Sequence, residues 1–222
     1  MRRVLLSWSS GKDSAWVLYL LRQMRDVEVV ALLTAFNRTA DRVSMHAVRR
    51  VLVEVQADRA GLPLWPVELP SPCSNAVYEE AMAAACRRAV DHGITEIAFG
   101  DLFLRDIREY RERQLQGTDL KPLFPIWESP TKDLAATMIQ KGVRGKVTCI
   151  DPAKLDQSFA GREFDVSFLD ALPADIDPCG ENGEFHTFVY DSPVFSRPIA
   201  IQAGEVLERD GFIFADLLKA DP

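Results

Sequence analysis

The first hundred positions alternate between two hydrophobic patterns. Continuous apolar runs, typical of strands buried on both faces, occupy residues 4–6, 27–36, 64–69 and 96–99. Apolar residues recur every three or four positions, as on one face of a helix, across residues 15–24, 44–60 and 74–92. Strict alternation of strand and helix predicts an α/β fold built on a doubly wound parallel sheet with right-handed crossovers.

Polar and glycine residues at the ends of these runs predict the helix boundaries. Ser44 and Ser74 stand where an N-cap hydroxyl is favoured, and Gly61 and Gly93 stand where a helix commonly ends. The carboxyl ends of the first, second and fourth strands run directly into polar residues. Ligands of parallel sheets bind at such ends, so these polar residues are predicted to meet at one site.

The pattern changes after Tyr110, where prolines crowd residues 122–130. Helices are predicted at 131–141 and 163–172, and strands at 146–150, 184–189, 199–203 and 212–214. This strand-rich half predicts a smaller C-terminal α+β domain. A boundary near Trp127 divides the chain into a nucleotide-binding domain, residues 1–127, and an acceptor-substrate domain, residues 128–222.

Composition narrows the functional classes. The 222 residues carry a net charge of −7 without a basic block, which disfavours nucleic acid as a partner. The four cysteines form no C-x-x-C pair and are expected to be reduced thiols of a cytoplasmic protein. No run approaches the roughly 20 apolar residues of a membrane span, so no membrane partner is expected.

The segment between the first strand and helix predicts a phosphate site. Its sequence, Ser7-Trp8-Ser9-Ser10-Gly11-Lys12-Asp13-Ser14, is small and polar, and Gly11 is free to take a positive φ. A strand–turn–helix of this kind points main-chain N–H groups and the positive end of a helix dipole at one point. Lys12 would add a mobile positive charge. The predicted ATP-binding residues here are Ser9, Ser10, Gly11, Lys12, Asp13 and Ser14.

Spacing identifies the type of phosphate loop. The nucleoside-triphosphatase loop would need a glycine where Leu6 stands, and the dinucleotide Gly-x-Gly-x-x-Gly is absent. The segment instead resembles the Ser-Gly-Gly-x-Asp-Ser loop of N-type ATP pyrophosphatases, with Ser10 in place of the first glycine. That resemblance implies cleavage of ATP between its α and β phosphates.

A second unusual stretch, Cys179-Gly180-Glu181-Asn182-Gly183-Glu184-Phe185-His186-Thr187, lies late in the chain. Two carboxylates, an amide and an imidazole within six residues suit the wall of a polar pocket. The same letters also fit an Asn-Gly hairpin turn leading into a strand. Both interpretations stay open on these residues alone.

Four segments together, SSGKDS, FGDLFLRDIREYRE, SPTKDLA and CGENGEFHTF, resemble the diphthine–ammonia ligase (diphthamide synthase) family, and in particular its bacterial branch. The resemblance implies an adenine nucleotide alpha hydrolase-like fold of the HUP type. It also implies an ATP-dependent, AMP-forming amidation, with ATP and Mg²⁺ as cofactors. In that reaction a carboxylate is adenylated, pyrophosphate leaves, and ammonia displaces AMP.

The resemblance also implies roles for individual residues. Asp13 and Asp101 are the expected magnesium contacts. Lys12 is expected to neutralise the departing pyrophosphate, and His46 could reach the α-phosphate. The further expected ATP-binding residues are Ala35, Phe36, Asn37, His46, Gly100 and Asp101. The expected catalytic residues are Lys12, Asp13, Glu184 and His186. The expected acceptor-binding residues are Tyr110, Arg111, Gly180, Glu181, Asn182, Gly183, Glu184 and His186.

The acceptor itself is not specified by the sequence. The expected partners are ammonia and a carboxylate on a small molecule or a modified residue, with a homodimer left open. For a bacterial member, a small carboxylate in cobalamin-related chemistry is expected in place of diphthine. Two alternatives remain: sulfur transfer to tRNA, which would need a persulfide-carrying cysteine pair, and a non-catalytic nucleotide sensor, which would not need the late Glu/His stretch.

Overall fold

The computed structural model describes residues 1–44 and 46–220. Its helices and strands follow one another in the order β1 (Arg2–Ser7), α1 (Lys12–Gln23), β2 (Val27–Asn37), β3 (Arg42–Val43), α2 (Arg50–Ala60), β4 (Leu64–Leu69), α3 (Asn75–Asp91), β5 (Glu96–Ala98), α4 (Arg105–Leu115), β6 (Lys121–Leu123), α5 (Thr131–Gln140), β7 (Arg144–Ile150), a 3₁₀ turn (Gln157–Phe159), α6 (Val166–Ala171), β8 (Phe185–Asp191), β9 (Ile201–Arg209) and β10 (Phe212–Lys219).

The first sheet is the predicted parallel one. Its parallel strands lie in the order β4-β2-β1-β5-β6, and the two-residue β3 pairs antiparallel with the end of β2. The chain therefore moves outward on one side of β1 and then continues on the other side from β5. The strand order reverses between β1 and β5, and the crevice at such a reversal is where parallel sheets bind ligands. The predicted fold class is confirmed.

The second sheet is antiparallel, with the order β8-β7-β10-β9. It shares one hydrophobic core with helices α1 and α2, through residues such as Phe185 and Phe188. Helices α3 and α4 cover the opposite face of the first sheet around a separate cluster. The first sheet ends at Leu123 and the second begins at Arg144; the boundary near Trp127 stays a prediction.

Several predicted boundaries shift. Ser74 is the N-cap of α3 and Gly61 ends α2 in the left-handed conformation, as predicted. Ser44 is not an N-cap, because its N–H donates to the Ala35 carbonyl and ties this segment to β2, so α2 begins only at Arg50. The predicted helix at 163–172 is reduced to α6, and the last two strands are longer than predicted. No helix in the described ranges has the length and apolar character of a membrane span.

Candidate active site

A cavity of about 490 Å³ lies at the carboxyl ends of β1, β2 and β5, in the crevice where the strand order reverses. The phosphate loop forms one wall, and the stretch from Cys179 to Thr187 forms the facing wall. The cavity thus brings two distant sequence motifs together. The predicted site residues that line it are Ser9, Lys12, Asp13, Ser14, Ala35, His46, Gly100, Asp101, Arg111, Gly180, Glu181 and His186.

The turn of the phosphate loop is made by a different residue from the one predicted. Gly11 has a φ of −89°, whereas Ser10 takes the left-handed φ of 71° and is fully buried. Ser10 stands where the resembling loop pattern has its first glycine, which explains why glycine is favoured there. Gly11 is favoured for another reason: a Cβ on it would lie 3.2 Å from both the His46 ring and the Thr187 carbonyl, which is a tight contact.

Strand β8 of the second sheet holds the phosphate loop in place. The Lys12 N–H donates to Thr187 Oγ1 at 3.1 Å, and the Val189 N–H donates to the Ser10 carbonyl at 3.0 Å. The buried Gln56 side chain donates to the Ser10 and Val189 carbonyls and accepts from the Trp8 indole N–H. The conformation of the loop therefore depends on a strand about 175 residues away in the chain.

The Lys12 side chain is not mobile, contrary to the prediction. Only 3% of it is exposed, and its ammonium group donates to Asp13 Oδ2 at 2.9 Å and to the Cys179 carbonyl. Burial lowers the pKa of Lys12, but Asp13, Cys179 and Asp177 together outweigh this effect and the net shift is upward. Lys12 is therefore a fixed cation between the two walls of the cavity.

Three carboxyl groups face one another across the cavity: Asp13, Asp101 and Glu181. Burial raises the pKa of Asp13 against the opposing effect of Lys12, and burial raises that of Asp101 against the opposing effect of Arg111. Burial also raises the pKa of Glu181, to about 7, with Asp13 and Asp101 adding to the shift. Close negative charges of this kind are stabilised when a cation or a proton is shared among them.

Asp13 and Asp101 fit the predicted magnesium site. Asp13 Oδ1 and Asp101 Oδ2 are buried and have no hydrogen-bond partner among the described residues. Gly100 allows the two acids to approach, since a Cβ there would lie 3.3 Å from the Asp13 Cβ. The described residues contain no cluster of three or more His, Cys, Asp or Glu arranged for a metal. A cation held here would complete its shell with phosphate oxygens and water, as magnesium prefers.

Residues 177–184, here called the acidic loop, form a compact turn that presents Glu181 to the cavity. The Glu181 N–H donates to Asp177 Oδ2 at 2.8 Å. Gly180 has a φ of +69°, and a Cβ on it would lie 2.7 Å from the Phe185 carbonyl, so only glycine fits. Glu181 Oε1 accepts from the N–H groups of Leu102 and Phe103, which follow Asp101. The acidic loop is thereby fixed to the end of β5.

His46 and His186 form a neutral pair beside the phosphate loop. Their ring centroids lie 4.4 Å apart, and His46 Nδ1 lies 3.4 Å from the Thr187 carbonyl oxygen. Burial lowers the pKa of His46 well below its usual range and that of His186 to about 4. Both imidazoles are therefore uncharged near pH 7 and can accept or donate hydrogen bonds without adding charge to the cavity.

The remaining predicted site residues do not line this cavity. Glu184 is buried inside the acidic loop, where Oε1 accepts from the Asp177 N–H and the Asn182 amide and Oε2 has no hydrogen-bond partner among the described residues; its catalytic role stays a prediction. Tyr110 lies at a separate cavity between α3 and α4. The predicted residues outside the main cavity are Ser10, Gly11, Phe36, Asn37, Tyr110, Asn182, Gly183 and Glu184.

The predicted adenine contact at residues 35–37 stays a prediction, and only one of its three residues lines the main cavity. The main chain of Phe36 and Asn37 pairs with β3 and β4 on its two sides, and the Phe36 ring is in the core. Asn37 faces a second cavity, next to the first. Only Ala35 reaches the main cavity, where it lies with Leu33 on the same side of β2.

Family comparisons agree with this arrangement. The N-terminal domain model of diphthamide synthase matches residues 1–121, and the C-terminal domain model matches residues 130–216. The chain belongs to the diphthamide synthase family. Its two matched regions contribute the two walls of the cavity, since the phosphate loop lies in the first and the acidic loop in the second.

Individual relatives of the family are distant. The chain is 28% identical to a human protein named diphthine–ammonia ligase, over 50% of this chain and 44% of that protein. It is 26% identical to a zebrafish protein of the same name, over 96% of this chain and 91% of that protein. The chain thus spans less than half the length of the human relative but nearly all of the zebrafish one.

The sequence did not predict Gln56 and Thr187, which hold the phosphate loop in place, or the apolar cavity residues Leu33, Met82 and Phe99. Gln56 lies on the buried face of α2, three or four residues from Leu52, Val53 and Ala60. A polar residue within this apolar stripe is the one sequence feature that could have indicated its role. Thr187 directly follows His186 in the quoted motif, but nothing local indicates that its hydroxyl reaches the Lys12 N–H.

Proposed function

We propose that this protein is an ATP-dependent, AMP-forming carboxylate–ammonia ligase. The observation that carries the proposal is the single cavity between the phosphate loop and the acidic loop. A carboxylate is a poor acyl donor to ammonia until one of its oxygens becomes a good leaving group. A cavity with a nucleotide site on one wall and polar acceptor groups on the other suits the adenylation that makes it one.

The proposed ATP site lies on the cavity wall that the phosphate loop forms. The hydroxyls of Ser9 and Ser14, 3.3 Å apart, would receive the pyrophosphate end of ATP. Asp13 and Asp101 would hold magnesium, which supplies charge neutralisation for the phosphates. An apolar part of the same cavity would take the adenine ring; it is lined by Leu33, Ala35, Met82 and Phe99.

The proposed acceptor site lies on the facing wall, formed by the stretch from Cys179 to Thr187, together with Arg111. In the first step an acceptor carboxylate oxygen bonds to the α-phosphorus, and the bond to the pyrophosphate oxygen breaks. In the second step the ammonia nitrogen bonds to the acyl carbon, AMP leaves, and one proton passes to a base. Glu181, whose pKa burial raises to about 7, is suited to hold ammonium and take that proton.

The acceptor is a carboxylate on a modified residue or on a small molecule. The name of the relatives, diphthine–ammonia ligase, favours diphthine as the acceptor. The resemblance of the motifs to the bacterial branch favours a small, cobalamin-related carboxylate. Persulfide chemistry gains no support from Cys179, which is buried and donates through Sγ to the Thr131 carbonyl. Burial also raises the pKa of this thiol above its ordinary value.

The test is to incubate the protein with ATP, magnesium, ¹⁵N-ammonium and a panel of carboxylates that includes diphthine-bearing elongation factor and cobalamin-related acids. AMP and pyrophosphate should form in equal amounts, and ¹⁵N should enter an amide, only when both ammonium and the right carboxylate are present. Formation of ADP, or ATP binding without AMP formation for every carboxylate, would contradict the proposal. The second result would favour a nucleotide sensor.

A further inference from the structure

The Lys12 ammonium group lies in a cage built mainly by the C-terminal half of the chain. Besides Asp13, its neighbours are the Cys179 carbonyl and two aromatic rings. The ammonium nitrogen lies 5.4 Å from the ring centroid of Phe185 and 5.8 Å from that of Phe164. Aromatic faces attract cations more strongly when water is excluded, as it is around this 3%-exposed side chain.

The cage has a direct effect on the acidic loop. Cys179 lies two residues before Glu181, and its carbonyl is held by Lys12. On the outer side, Lys154 Nζ donates to the Asn182 carbonyl at 2.7 Å. The acidic loop is thus held by Lys12 from the phosphate loop and by Lys154 from the turn that follows β7, and Glu181 lies between the two contacted residues in the chain.

These contacts leave Lys12 poorly placed to follow a departing phosphate group. To reach outward, the ammonium group would give up Asp13, the Cys179 carbonyl and both rings. Breaking a buried charge pair is costly, because the partner stays buried without compensation. A charge held on the wall of the acidic loop acts instead on the geometry of that loop.

We infer that Lys12 is a positioning residue that anchors the acidic loop to the phosphate loop, and that it serves ammonia transfer to the acceptor more than pyrophosphate departure. This inference rests on the proposed function of the same cavity. In this role Lys12 holds the Cys179 carbonyl and thereby sets the position of Glu181. This role differs from the sequence expectation, in which Lys12 neutralises the pyrophosphate.

The first experiment does not depend on turnover. Lys12→Met and wild type are compared by calorimetric affinity for α,β-methylene ATP with magnesium, and by hydrogen exchange of residues 177–184. We expect the nucleotide affinity to stay within about 3-fold, while exchange in the acidic loop rises by about 10-fold or more, the size expected for a lost charge-assisted hydrogen bond. A fall of about 10-fold or more in nucleotide affinity with unchanged exchange would overturn the inference.

The second experiment measures AMP formation at varied ammonium and ATP. In Lys12→Met the KM for ammonium should rise and kcat should fall, with little change in the KM for ATP, and Lys12→Arg should restore part of the loss. Lys146→Met is the matched control, since it removes a partly buried lysine paired with Glu163 away from the cavity. A rise confined to the KM for ATP would make Lys12 a phosphate ligand.

The two proposals can fail separately. If wild-type protein forms no AMP with any carboxylate, the ligase function fails, and the affinity and exchange measurements still decide the role of Lys12. If Lys12→Met unfolds, Lys12→Arg gives the same two readouts with the charge retained, and we then expect unchanged nucleotide affinity with a partial rise in loop exchange and in the KM for ammonium. Weakened nucleotide binding in a folded Lys12→Arg protein, with the loop unaffected, would contradict the positioning role.

Discussion

The Glu181 carboxylate accepts a hydrogen bond from the Leu102 N–H at 2.7 Å, across the crevice between the two sheets. Leu102 directly follows Asp101, so this bond joins the acidic loop to the segment that carries a candidate magnesium ligand. It also leaves the second Glu181 oxygen toward a cavity that contains Asp13 and Asp101. This bond therefore holds Glu181, the proposed ammonium-binding residue, close to Asp101, the candidate magnesium ligand.

Glu181→Gln should remove amide formation while leaving ATP binding intact. Glutamine keeps the acceptor oxygen for the Leu102 N–H but cannot take a proton, so kcat/KM for ammonium should fall by about 100-fold or more. In wild type the rate should rise with pH through about 7, because the protonated carboxyl cannot act as the base. The Gln variant, measured at matched free ammonia, should lack this step; a retained step would assign it to another group.

Asp101→Asn should weaken the affinity of the site for magnesium. It replaces a carboxylate oxygen that accepts no hydrogen bond among the described residues, and that lies 3.7 Å from Arg111 Nε, with a neutral amide, which is a poorer magnesium ligand. The magnesium concentration for half-maximal AMP formation should rise by about 10-fold, and chelation should abolish AMP formation in wild type. Asp106→Asn, in the first turn of α4 and outside the cavity lining, serves as a control, and an equal effect there would argue against a specific site.

Ser10→Gly should stabilise the protein. Ser10 is held at a φ of 71°, a conformation that costs a residue with a Cβ about 1 kcal/mol, and its hydroxyl is buried without a partner among the described residues. The free energy of unfolding, from urea titration, should rise by about 1 kcal/mol. The neighbouring Gly11→Ala should act in the opposite direction, because its Cβ would press on His46 and Thr187. Equal effects of the two changes would refute this assignment of the turn.

Asp216→Asn should loosen the contact between the two sheets. Asp216 on β10 pairs with Arg42 at 2.7 Å and with Arg49 at 2.6 Å, both from the N-terminal half. Burial acts to raise the pKa of Asp216, but the two arginines outweigh it and lower the pKa to about 2. These charges are partly exposed, so the expected loss at pH 7 is only about 1–2 kcal/mol.

The pH dependence of that loss follows from the direction of the shift. A carboxyl whose folded pKa lies below its ordinary value of about 3.9 contributes stability above that value. The contribution is lost as the pH falls through about 2. The difference in unfolding free energy between wild type and Asp216→Asn should therefore be constant from pH 5 to 7 and shrink between about pH 4 and 2. A difference that is unchanged at low pH would mean that the loss is not electrostatic.

Much of the fold and part of the site were predictable because their signals are local. Apolar runs and helical spacing gave the parallel sheet, and short sequence segments gave the two motifs that meet in the cavity. Gln56 and Thr187 were missed because each acts on a segment far away in the chain. The sequence could not tell whether Glu181 or Glu184 lines the cavity, because the order of acidic residues in a tight turn does not show which carboxylate faces inward.

By itself, the sequence determined most of the strands and helices (though not the short β3 and β6), the phosphate loop after β1, and the presence of two polar motifs, since each depends on neighbouring residues. Only the tertiary structure decided that Ser10 and not Gly11 makes the left-handed turn, that Lys12 points to Cys179, and that Glu181 faces the cavity. The physical reason is the close approach of β8. Its residue Thr187 fills the space beside Gly11 and accepts a hydrogen bond from the phosphate loop.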